Sequence, residues 1–106
     1  MMMKVIVLDS VVKEMKRESD ELKQSVYGIL QRLEMGELIP LPLCRPLYAI
    51  AKGLHEIRLS DKAGEYRVFY YLKIDDATYV IHAMRKKTQK MEKKTIDLLK
   101  KRIGSL

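Results

Sequence analysis

The run Tyr79-Val80-Ile81-His82-Ala83-Met84-Arg85-Lys86-Lys87-Thr88-Gln89-Lys90 starts apolar, passes through a histidine and ends in cations. A strand that leaves the core in this way delivers fixed positive charge to the rim of a sheet, where phosphoryl oxygens could be held. Arginine offers a planar fork of donors for such oxygens, and lysine offers a mobile point charge. Arg58 and Arg67 lie on the two strand-like runs just upstream. If the three strands pair in order, Arg58, Arg67, Lys86 and Lys87 converge on one phosphate. His82 adds a group whose ordinary pKa, about 6.5, suits proton transfer. Each residue also has a structural reading: Arg67 or Arg58 bridging to Glu56 or Glu65 across the sheet, and His82 as a satisfied strand histidine.

The distribution of charge supports a polyanion surface. The net charge is +7, and residues 85–102 carry all of the excess, with nine Lys or Arg against Glu92 and Asp97. The rest of the chain is balanced. Clustered charge creates a local field that attracts phosphate and steers association. Arg85, Gln89, Lys90, Lys93 and Lys94 are therefore candidate RNA-binding residues. The plainer reading is the wet side of an amphipathic helix.

The elements that must position these residues follow from periodicity. Lys4 to Leu8 is β-branched and short, as a first strand should be. Asp9 or Ser10 can cap a helix with Val11, Val12 and Met15 on its buried side. Ser19 can cap a second, in which Leu22, Val26, Ile29, Leu30 and Leu33 share one face, and Gly36 ends it. Pro40, Pro42 and Pro46 make residues 38–47 an extended connector, with Cys44 a buried bystander. Leu54 to Leu59, Glu65 to Ile74 and Thr78 to Met84 then read as a three-strand meander, with Gly64 at a positive φ in the first turn. Apolar residues on both faces of the middle run mark a central strand. A basic helix over about 90–103 closes the chain, ending at Gly104. The expected fold is α+β: an N-terminal strand and two helices packed on a small antiparallel sheet, then a C-terminal basic helix, all in one domain over 1–106. The sheet face away from the helices would form a concave surface.

Composition excludes several classes. A hydrophobic content of 47% and a charged content of 33% fit a folded soluble domain. No apolar run approaches the ~20 residues that span a bilayer, and one cysteine cannot form an internal disulfide, so the cytoplasm and no membrane partner are expected. No metal-ligand spacing, Gly-rich phosphate loop or Ser-His-Asp set is present, so no metal or cofactor is expected.

Pro46-Leu47, Gly53-Leu54-His55-Glu56-Ile57-Arg58, Tyr66-Arg67-Val68-Phe69-Tyr70 and His82 to Lys90 together resemble the phage-related HigB-like branch of the RelE/ParE toxin superfamily. Met84 stands where relatives often carry an aromatic residue, and Met91 where a proline commonly follows Thr-Gln-Lys. The resemblance implies a RelE-like fold and a toxin of a type II toxin–antitoxin pair. It further implies ribosome-dependent cleavage of mRNA without a metal and a small helix-turn-helix antitoxin as partner. Such cleavage uses the ribose 2′-hydroxyl as nucleophile, and the protein must move two protons and stabilise the phosphorane. On this reading Arg58, Arg67, Lys86, Lys87 and His82 are the catalytic candidates. Two other readings remain open: a ParE-like toxin that inhibits gyrase by binding, and a degenerate member that binds only RNA or its antitoxin. Tyr71 or Tyr48 could stack a base.

Overall fold

Short, β-branched Val5–Val7 forms β1, and the chain turns at once into α1 (Asp9–Met15) in the computed structural model, which describes residues 3–87 and 90–106. Leu8, not Asp9 or Ser10, takes the extended N-cap position of α1, and no side chain caps it. Asp9 lies in the first turn, where a carboxylate suits the positive end of the helix dipole. Val12 faces solvent at 51% exposure, so the buried stripe of α1 is Val11 and Met15. In α2 (Asp20–Glu34) the expected cap forms: the Ser19 hydroxyl accepts from the Leu22 N–H at 3.1 Å. Leu22, Val26, Ile29, Leu30 and Leu33 are all buried.

The proline-rich segment is not wholly irregular. Cys44–Pro46 forms β2, paired antiparallel with β3 (Leu54–Asp61) so that Arg45 faces Glu56. Pro46 has no N–H for a ladder, which an edge strand tolerates. From β3 the chain reverses into β4 (Gly64–Leu72) through a turn in which the Ala63 N–H donates to Asp61, and Gly64 has φ 117°. That φ is cheap for glycine alone. The third strand of the meander, β5, spans Thr78–Lys86. The middle strand stops at Leu72, and Ile74 is exposed.

The sheet order is β1-β5-β4-β3-β2. β1 runs parallel to β5, so the sheet is mixed rather than antiparallel throughout. Its two faces bury different cores. On one, α1 and α2 cover Ile57, Tyr66, Val68, Tyr70, Val80 and Ala83. On the other, α3 (Lys93–Gly104) lays Leu99 against Leu54, Phe69 and Ile81. The second face is therefore partly roofed by α3 rather than left open. Gly104 is the last residue of α3, and Ser105 takes the cap position. The α+β class stands, with helices on both sides of the sheet.

Candidate nucleic-acid interface

One irregularity in the sheet decides which cations share a face. Tyr70 pairs with Val80, but Phe69 pairs with His82, so Ile81 is an extra residue in β5. An inserted residue shifts the alternation of everything after it. Met84 and Lys86 consequently face the same way as Arg67 and Phe69, opposite Arg67 and Glu65 in register. Arg85 faces the other way. Its guanidinium lies 5.1 Å from the Tyr66 ring centroid and donates to Asp61 at 2.6 Å and to Glu18. The bond from Arg85, with the backbone N–H of Ala63, holds the Asp61 carboxyl below its usual range. Arg85 was an expected RNA contact; its side chain is instead spent on the helical side of the sheet.

On the candidate face Arg58 and Arg67 are direct cross-strand partners. Such partners have adjacent Cβ atoms, so two like charges here need anions between them. Glu56 and Glu65 supply those anions. The Arg67 side chain is 2% exposed: Nε lies 3.5 Å from Glu56 Oε2, Nη2 lies 3.0 Å from Glu65 Oε1, and Nη1 donates to the Tyr66 and Leu59 carbonyls. Glu56 is fully buried and also accepts from Arg45 Nη2 at 3.0 Å. Glu65, at 41% exposure, is the outer member of the set. Its carboxyl is held below the usual range, first by the hydrogen bond and charge of Arg67 and then by the charges of Lys86 and Arg58. Arg58, Arg67 and Lys86 therefore do come together, and they do so around a carboxylate.

Beyond Lys86 the rim continues as a shallow hollow between the sheet and the start of α3. It is small, about 10 Å³, and is lined by Phe69, Met84, Met91 and Thr95 with Lys86, Lys87, Lys90 and Glu92 around them. Lys87 and Lys90 are exposed. Lys93 and Lys94 lie on the outer side of α3, paired with Asp97 at 3.1 Å and Glu92 at 3.8 Å. Gln89 lies outside the described residues. Phe69 is fully buried beneath this hollow, so the arrangement offers cations for a phosphate rather than an aromatic floor for a base. Tyr48 is exposed on the loop after β2 and does not line this hollow.

His82 is not part of it. Its ring stacks on Phe69 at 5.8 Å, and its Nδ1–H donates to Glu14 at 2.9 Å. β1 pairs with β5 only as far as Val80, so the outer edge of β5 beyond that point has no strand neighbour. Glu14 of α1 accepts the Ala83 N–H there at 3.1 Å, and Arg102 of α3 donates to the Ile81 carbonyl at 2.7 Å. Arg102 also ion-pairs with Glu14 at 2.9 Å. Burial acts to raise the Glu14 carboxyl, but the bonds from His82 and Ala83 and the charge of Arg102 hold it below the usual range. This cluster seals a strand edge, and the histidine is buried within it.

Arg45 is the member that sequence reasoning did not find. Its neighbours Cys44 and Pro46 sit in a run of three prolines, and nothing local says that the segment docks beside β3. The one available signal was Glu56, a carboxylate on a buried strand face that needs a cation. Cys44 is buried, and burial pushes its thiol up, as an inert packing residue requires. Among the described residues no three His, Cys, Asp or Glu side chains gather as metal ligands, and no helix is long and apolar enough to cross a membrane.

The family model described as "Phage derived protein Gp49-like (DUF891)" matches residues 13–104. Among solved structures, a free-state mutant of E. coli toxin RelE aligns with 100% of this chain and 99% of its own, at 14% identity and a TM-score of 0.48. No curated protein matches the chain.

Proposed function

This chain belongs to the phage-derived Gp49-like family, a RelE-like one, and from that premise we propose that it is the toxin of a toxin–antitoxin pair that cleaves mRNA on the ribosome. The observation that carries the reading is the gathering of Arg58, Arg67 and Lys86 on one sheet face, continued by Lys87 and Lys90 around an apolar hollow. In cleavage of this type the ribose 2′-hydroxyl attacks the adjacent phosphorus and the 5′-oxygen leaves. The products are a 2′,3′-cyclic phosphate and a 5′-hydroxyl. Arg58 and Lys86 flank the phosphate and offset charge as it builds on the phosphorane, the largest single contribution in reactions of this kind. Lys86 would also give a proton to the leaving oxygen, while the 2′-hydroxyl proton passes to solvent water. Arg67 is enclosed by the protein's own acceptors at Nε and Nη1 and would meet the phosphate through Nη2 alone. Met84 and Met91, both half-buried beside the lysines, are the apolar side chains that a base would touch.

The protein would act in the cytoplasm, where ribosomes are, and be silenced by a cognate antitoxin of helix-turn-helix type. A partner with acidic segments suits the cationic rim. Induction of the protein should arrest growth and translation, with mRNA cut inside codons as read by primer extension. Lys86→Ala should restore growth and leave mRNA whole. Intact mRNA during a full arrest would sink this reading, and stalled replication with translation spared would transfer the protein to the gyrase-binding class.

A further inference from the structure

Arg67 is walled in on every side but one. Glu56, the partner of its Nε, is fully buried and held a second time by Arg45. Two backbone carbonyls occupy Nη1. Only Nη2 has a partner that reaches water, Glu65. The same carboxylate lies opposite Lys86 in the β4–β5 register and beside Arg67, whose cross-strand partner is Arg58. An anion from solution that is to share all three must take its place.

We propose that Glu65 is an internal counter-anion of this site, which an RNA phosphate displaces in order to reach Arg67. The inference rests on the reading of this face as an RNA-binding one. Glu56 and Glu65 both neutralise Arg67, yet they differ in what they can give up. Removing Glu56 strands the buried Arg67 guanidinium, whereas Glu65 can swing into solvent and be hydrated there. Its depressed carboxyl is a weak base, which argues against a role in taking the 2′-hydroxyl proton. A displaceable carboxylate has a clear use. It keeps like charges on adjacent strands from repelling one another while the site is empty, and it sets a threshold that single phosphates do not cross but a chain of phosphates does.

The test is binding of tripolyphosphate and of a short single-stranded RNA to the full chain, comparing the wild type with Glu65→Gln and Glu65→Ala at pH 7 and low salt. Thermal melts show that each variant is folded. Displacement predicts that both substitutions tighten binding, by about two- to fivefold, the scale of a partly exposed ion pair. A merely structural Glu65 predicts the opposite sign. Glu37→Gln, whose carboxylate pairs with Arg32 of α2 at 3.2 Å, changes net charge equally and serves as the control. Unchanged or weaker binding by the Glu65 variants overturns the proposal, as does equal tightening by Glu37→Gln or no binding by any form. Tighter binding with mRNA left intact keeps the proposal and removes the nuclease reading. Cleaved mRNA with unchanged affinity removes the proposal alone.

Discussion

Two clusters in this molecule set arginine against glutamate, and they do different work. At the outer edge of β5, Glu14, His82 and Arg102 direct their polar atoms at one another and at backbone groups that lack a strand neighbour. On the β3–β4 face, Arg45, Glu56, Arg67 and Glu65 form a graded series, from a fully buried carboxylate to one that is 41% exposed, which then opens onto Lys86 and the hollow. The first cluster spends its charge completing the sheet. The second keeps its outermost charge exchangeable. The presence of an ion pair alone signals little about binding.

That contrast can be broken from either side. The largest effect is expected for Arg67→Ala, which leaves Glu56 buried and undercompensated; about 3–5 kcal/mol of stability should be lost in urea denaturation. Loss of function in that variant would therefore report folding. Lys86→Ala should change stability by less than about 0.5 kcal/mol but lower the rate of mRNA cleavage on the order of 100-fold, as removal of one charge-stabilising group does. Arg102→Ala uncovers the Ile81 carbonyl and one side of Glu14. It should cost about 1–3 kcal/mol and leave polyphosphate affinity unchanged in the same titration.

The smallest and broadest effect is that of acid. Glu14, Asp61 and Glu65 all have carboxyls held below their ordinary values of 4.5, 3.8 and 4.5. A group depressed on folding stabilises the protein above its unfolded pKa, and that contribution is lost as pH falls through the folded value. The melting temperature should accordingly hold steady from neutral pH down to about 5 and then drop. In Glu14→Gln the drop should be shallower, starting from a lower plateau. A melting temperature that rises below pH 4.5 would contradict the assignment of these pairs.

Much of this was legible in the chain. Ser19 caps α2 because its hydroxyl reaches the Leu22 N–H, and Gly64 turns β3 into β4 because it alone accepts the positive φ without strain. Those are local rules, and local sequence states them. The alternation of Leu54, Glu56 and Arg58 against Tyr71, Phe69 and Arg67 likewise brought the two arginines to adjacent strands. The location of the charge excess after Met84 is composition alone.

What sequence could not state depends on partners distant in the chain. The Pro-rich run became a strand bearing Arg45 only because β3 offered it an edge. Counting alternately from Tyr79 and Ile81 would have sent Arg85, not Lys86, to the site. The extra residue at Ile81 reverses that outcome, and a bulge is an event of pairing between strands, invisible to periodicity within one of them. The depth of Arg67 was likewise undecided, since its burial depends on acceptors of β3 and β4 closing around it. Sequence by itself determined which cations this protein has and the elements that carry them. Tertiary structure decided which are spent on the fold and which remain for a ligand, because that allocation is set by register and burial across the sheet.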